Sequence, residues 1–242
     1  MGVLTNSSDD GKSSDEDFLE QKLILKSQLN IVVKKERGIM KFYPGEIYHV
    51  YNRGNIRQRI FFERRNYPFF LRKMDIHLTP YCNFLAWCLM PNHFHWLIQI
   101  KEKEELESFI FSDDGSLIEL NKSIGILLRS YTRAINVAFK NKGSLFKQGT
   151  HSKNVNRGLT IRDNYALVCF LYIHQNPVKT KLAANFRDWE FSSYRNYAGL
   201  NSCSKICNKD LAGDLLDLPT TKSGFEQFSN LTLPDDYQDY IF

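Results

Sequence analysis

The sequence contains no run approaching the roughly 18 consecutive apolar residues that a membrane-spanning helix needs, which argues against a membrane protein. It has no glycine-rich P-loop, so ATP-driven chemistry of that kind is not expected. Internal repeats are absent, which removes solenoids and propellers. Its five cysteines (82, 88, 169, 203 and 207) are odd in number and lack a disulfide-framework spacing, so a reducing cytoplasm is expected. Cys203 and Cys207 form a C-x₃-C pair, but no second ligand pair stands at zinc-finger spacing. The first residues are acidic and polar, unlike a secretory signal or an Arg-rich transit peptide.

What is present is a globular composition over 242 residues, 43% hydrophobic and 24% charged. Charge is unevenly spread. Residues 40–198 hold 23 basic and 13 acidic side chains, while 1–39 and 199–242 are both net acidic. A basic body between acidic ends suits a polyanion, with nucleic acid first, although a solvated basic surface gives the same count. Three segments are therefore expected: a disordered or dispensable extension over 1–39, a functional domain over 40–198, and an acidic C-terminal tail over 199–242.

Apolar periodicity within 40–198 predicts strands at Glu46–Asn52, Asn83–Met90 and His93–Ile100, the last two joined as a hairpin by Pro91-Asn92. Helices are expected at Glu63–Leu78, with Pro68 in the first turn, and at Leu120–Lys140, ending near a Gly143 cap. A weaker strand falls within Ser144–Val155. A last helix runs from an Asp163 cap to about Gln175 and stops by Asn176, ahead of Pro177. The order β-α-β-β-α-β is that of an α+β, ferredoxin-like antiparallel sheet with helices on one face, and the C-terminal helix is an addition.

Two clusters carry chemistry. In His93-Phe94-His95-Trp96, strand alternation puts both imidazoles on one face, where they could chelate a divalent metal. On the last helix Tyr172 and Asn176 are four residues apart, so they lie about 40° from one another, and His174 points elsewhere. Core packing of Tyr172 and a helix end at Asn176 explain the same spacing. Tyr131, flanked by Arg129 and Arg133, is a second candidate nucleophile, but it sits on the apolar stripe of its helix. Asn52, Arg53, Arg57 and Arg59 follow the first strand, and Lys140, Lys147 and Lys153 follow the second long helix. Together they suit a DNA groove, with Phe61 and Phe146 as possible base-stacking partners.

Met90-Pro91-Asn92-His93-Phe94-His95 and Tyr172-Ile173-His174-Gln175-Asn176-Pro177-Val178 together resemble the HUH-type single-strand DNA transposases, in particular the REP-associated tyrosine transposases. Tyr48-His49-Val50-Tyr51-Asn52-Arg53-Gly54-Asn55 and Trp189-Glu190-Phe191-Ser192-Ser193-Tyr194 resemble the same group. The resemblance covers about 40–198. It implies that His93, His95 and Asn176 hold a divalent cation, Mg²⁺ or Mn²⁺. It further implies that Tyr172 attacks a DNA phosphate to give a 5′-phosphotyrosine and a free 3′-OH. The implied partner is single-stranded DNA carrying hairpin or palindromic repeats, handled by a monomer or a homodimer. Two other readings stay open: a nucleic-acid-binding module without chemistry, and a metal-dependent phosphohydrolase that uses water. A replication-initiator nuclease would usually bring a helicase domain for which the chain has no room.

Overall fold

The structure is a computed structural model, described here for residues 40–156, 165–200 and 202–233. Four strands form one antiparallel sheet: β1 (Ile47–Arg53), β2 (Cys82–Met90), β3 (His93–Ile100) and β4 (His151–Asn154). Their spatial order is β2-β3-β1-β4, and every neighbouring pair is antiparallel. Helices α1 (Asn66–Leu78) and α2 (Ile118–Phe139) follow β1 and β3. Helix α3 (Tyr165–Lys179) follows β4. The chain is thus α+β, with the element order expected from the periodicity.

The two faces of the sheet have separate cores, because successive side chains on a strand point to opposite sides. Val50, Phe84, Trp87, Leu89, Phe94, Trp96 and Ile98 pack with Phe70, Met74, Leu127 and Tyr131 of α1 and α2. Leu85, Cys88, Met90 and Leu97 pack with Cys169, Phe170 and Ile173 of α3. A bulge between Phe84 and Ala86 adds one residue to β2. That extra residue lets Phe84 and Trp87, three apart, share a face.

Several expectations shift. The last helix does not stop before proline: Pro177 lies inside α3, which continues to Lys179. Proline withholds only one helical N–H, and near a helix end the following turn still closes, Thr180 N–H donating to the Asn176 carbonyl. The expected Asp163 cap lies outside the described residues. Helix α2 ends at Lys140, which takes the left-handed conformation (φ 54°) and donates its N–H to the Asn136 carbonyl. Gly143 lies beyond, where its carbonyl accepts from the Asn136 side chain.

The C-terminal segment expected as an acidic tail is folded where it is described. It contains α5 (Lys209–Leu216) and α6 (Lys222–Ser229), preceded by the single turn α4 (Tyr194–Tyr197). Ala212, Leu216 and Phe225 are buried in the α3-side core, and Gln175 donates to the carbonyls of Ser229 and Leu231. The neighbouring 191–193 segment covers the edge of β2: Leu89 N–H donates to Phe191, and Ser193 N–H to Trp87. The Trp189 indole adds a bond to the Leu89 carbonyl at 3.1 Å. Trp189-Glu190-Phe191-Ser192-Ser193 therefore closes an exposed sheet edge. The expected 1–39 extension lies outside the described residues.

Candidate active site

Strand parity and helix spacing bring the four chemistry-bearing residues together on the α3 face. His93 and His95 have ring centroids 5.1 Å apart. The Tyr172 ring lies 5.4 Å from that of His95, nearly perpendicular to it. One turn along α3, the Asn176 amide Nδ2 donates to the Tyr172 hydroxyl at 3.3 Å. His174 points away and bonds Ser193 Oγ at 2.7 Å. Tyr131 lies on the opposite side of the sheet, fully buried, with its hydroxyl donating to the Ile60 carbonyl at 2.8 Å. It packs among Phe61, Phe70 and Phe146.

Three further rings line this face and were not singled out from the sequence. His49 on β1 is fully buried, and its Nε2 stands 2.9 Å from Nδ1 of His95. Tyr51 stacks on both His95 (5.8 Å) and His151 (5.1 Å). The signal was available: His49 and Tyr51 alternate with Val50 on a strand that pairs with β3, so they share a face with His95. Which strands pair is what the sequence does not state.

Burial dominates the electrostatics. It lowers the His93 pKa to about 4, helped by the nearby Arg53 charge and opposed by the contact with Asn176. It holds His95 well below the usual imidazole range, with His49 and His93 adding to the effect. His49 is lowered to about 3 by burial and by Lys153. All three rings are therefore neutral at pH 7, the state in which a ring nitrogen can serve as a ligand or acceptor. The Tyr172 phenol is pushed up by burial, so it is a neutral hydroxyl rather than a phenolate.

The expected DNA-binding residues do not form a single cluster. Arg53 is opposite His93 in the sheet register, and Lys147 N–H donates to its carbonyl, so both stand at the His93 end of the sheet. Asn52 and Lys147 also line a cavity of about 900 Å³ between α2 and the Ser144–Thr150 segment. Arg129 and Arg133 of α2 line it as well; four residues apart, they share the helix face opposite Tyr131. None of the active-site candidates lines this cavity. Arg57 and Arg59 are exposed on the loop after β1, and Lys140 is exposed at the end of α2. Gly54 starts that loop, where a β-carbon would meet the Gln58 carbonyl oxygen at 2.0 Å, so only glycine fits. Lys153 is elsewhere: it pairs opposite His49 and sits 4.4 Å over the Tyr165 ring, bonding its hydroxyl at 2.9 Å.

Among the described residues no group of three or more His, Cys, Asp and Glu side chains is placed to hold a metal. The candidate set is of a different kind, two imidazoles and one amide. Its donor chemistry fits a divalent cation. His93 Nδ1 donates to Asn92 Oδ1 at 2.7 Å, which leaves the ring's lone pair on Nε2. The Asn176 amide turns its nitrogen to Tyr172, so its oxygen is the atom presented on the other side.

Among the described residues no helix is long and apolar enough to cross a membrane. No family model and no curated protein matches the chain. In comparison with solved structures, 73% of the chain is similar to 92% of a REP-associated tyrosine transposase bound to a REP hairpin, with 15% identity and a TM-score of 0.46.

Proposed function

We propose that the protein is a metal-dependent, single-tyrosine transposase that cuts and rejoins single-stranded DNA beside hairpins, with Tyr172 as nucleophile. The observation that carries this reading is the contact between the Asn176 amide and the Tyr172 hydroxyl, beside the His93–His95 pair. The sequence resemblance at 90–95 and 172–178 supplies the reaction class. The strand order β2-β3-β1-β4 supports the split β-α-β, ferredoxin-like arrangement expected of such a domain. The five unbridged thiols suit a reducing cytoplasm.

His93, His95 and Asn176 would hold the cation, Mg²⁺ or Mn²⁺ by the resemblance. When bound, it would supply Lewis-acid polarisation of the scissile phosphate. The residues of the chain do the rest. Arg53 offers a positive charge for the DNA backbone at the His93 end of the sheet. Asn176 donates to the Tyr172 oxygen and so leaves another lone pair of that oxygen for attack. Because burial keeps the phenol protonated, positioning and local positive charge must replace intrinsic reactivity. Tyr172 Oη forms a bond to phosphorus as the bond from phosphorus to the 3′ oxygen breaks. The phenolic proton is lost and the leaving 3′ oxygen takes up a proton. The phosphotyrosyl ester retains the bond energy, so a second 3′-OH can reverse the step without ATP.

The basic cavity beside α2, which none of the active-site candidates lines, favours one other reading, a nucleic-acid-binding module without catalysis. Incubation with labelled single-stranded hairpin DNA and Mn²⁺, resolved on a denaturing gel, separates the two. The transposase reading expects a covalent adduct that EDTA abolishes and Tyr172→Phe lacks. Binding without any adduct would establish the module instead.

A further inference from the structure

The loop that follows β1 is exposed at every residue from Asn55 to Arg59, yet its backbone is held at both ends. On one side Gly54 N–H donates to the Asn92 carbonyl at 2.7 Å, and the Ile60 and Phe61 N–H groups donate to that of Pro91. Pro91 and Asn92 form the turn into β3, directly ahead of His93. On the other side Asn55 N–H donates to the Leu145 carbonyl at 2.9 Å, and the Gln58 amide donates to the carbonyls of Ser144 and Leu145. Ser144 and Phe146 line the basic cavity. The loop therefore ties the start of the histidine strand to the edge of that cavity.

Two consecutive residues at its tip, Ile56 and Arg57, take the left-handed conformation (φ 51° and 58°). For a β-branched side chain that is a steric outlier, and glycine or asparagine would make the same turn with less strain. Burial does not offset the strain, because Ile56 is 94% exposed. A lone exposed isoleucine needs no explanation. One fixed in a strained conformation by anchors on both sides does, since such strain clusters where a chain meets its ligand. The charges around it indicate which ligand. Arg53, Arg57 and Arg59 are exposed and form no ion pair among the described residues, whereas Arg64 and Arg65 farther along pair with Glu190 and Glu63. An apolar tip flanked by arginines is complementary to DNA, phosphates meeting the cations and a base face meeting the side chain. A second copy of the chain would bring the same positive charge.

We infer that Ile56 is a DNA wedge: with Arg53, Arg57 and Arg59 on phosphates, its side chain packs against the face of an unpaired base beside the hairpin stem and parts it from its neighbour. The segment of the resemblance that begins at Tyr48 stops at Asn55 and gives Ile56 no role. The inference rests on the proposed function for the DNA that the loop meets, and on no step of cleavage.

The test titrates the full chain, in EDTA so that no cleavage intervenes, into hairpin oligonucleotides carrying 2-aminopurine in the single strand on either side of the stem. The fluorescence of this base rises when it loses its stacking on neighbouring bases. The parent should raise it several-fold beside the stem. Ile56→Asn should lose the rise and bind roughly tenfold more weakly, with its salt slope unchanged because no charge is removed. Arg57→Ala should keep the rise and lower the log–log salt slope by about 0.7. Urea should unfold Ile56→Asn at no lower concentration than the parent, because asparagine accepts the left-handed conformation more readily. A rise retained by Ile56→Asn, or absent from the parent, overturns the inference. So does self-association of the parent without DNA that Ile56→Asn abolishes in sedimentation, which would give the side chain to a second copy. A rise in a parent that forms no covalent adduct with Mn²⁺ defeats the proposed catalysis and leaves the wedge standing. An adduct without the rise does the reverse.

Discussion

The two faces of strand β3 use the same backbone for opposite purposes. Phe94, Trp96 and Ile98 point toward α1 and α2, where they are buried among aromatic and aliphatic side chains. His93 and His95 point toward α3, where they meet His49, Tyr51, Tyr172 and Asn176. Both faces are largely buried, although His93 and Tyr51 stay partly exposed. One is satisfied by packing; the other holds neutral polar rings at a desolvation cost that depresses their pKa values. Such a cost is expected where geometry serves chemistry rather than stability.

Substitution along β3 should separate these roles. The largest effect is expected for His95→Ala, which should abolish DNA cleavage in a gel assay while removing only about 1–3 kcal/mol of stability, from the unmatched His49 nitrogen. Its neighbour Trp96 stacks on Phe94 at 4.1 Å and is fully buried. Trp96→Ala should cost about 3–5 kcal/mol in denaturant unfolding. Equal stability losses for the two would break the contrast.

Acid should act on the histidine face. His49 and His93, with folded pKa values of about 3 and about 4, and His95, lowered further, are neutral in the fold but take up protons when unfolded. Their contribution is fully present above about pH 6.5 and is lost as pH falls toward 4, at up to about 1.4 kcal/mol per pH unit for each ring. His174, lowered to about 3 by burial on the same side of the sheet, adds to this. Urea unfolding at pH 7, 6 and 5 measures the slope. A His49→Gln/His95→Gln double variant should flatten it.

A smaller effect is expected at the basic cavity. Lys147→Ala should weaken single-stranded DNA binding several-fold and lower the log–log salt slope by about 0.7, the share of one phosphate contact. Fluorescence anisotropy across a salt series reads both. The smallest effect is expected at Tyr131: Tyr131→Phe loses one bond to the Ile60 carbonyl, about 1 kcal/mol, and should leave cleavage at the parental rate.

The strands, the two long helices and the pairs His93–His95 and Tyr172–Asn176 were legible because each rests on a short-range period, two for strands and 3.6 for helices; that the two pairs belong together was implied only by the resemblance at 90–95 and 172–178. His49 and His151 were not, because their proximity depends on β1 lying between β3 and β4, a pairing no local pattern encodes. Lys153 was grouped with Lys147 by sequence, yet β4 turns it toward His49 and Tyr165. The folded 202–233 segment was hidden by its net acidity. Ala212, Leu216 and Phe225 are few, and only the exposed side of α3 and the open edge of β2 give them something to cover. Helix α3 outran its proline because a missing N–H near a helix end costs little against a face packed in the core.

Peptide mapping tests the central claim most directly. After reaction with single-stranded hairpin DNA and Mn²⁺, nuclease trimming and proteolysis, mass spectrometry should find the residual nucleotide on the peptide from α3, attached at Tyr172. Attachment at Tyr131, Tyr51 or any other residue would contradict the account.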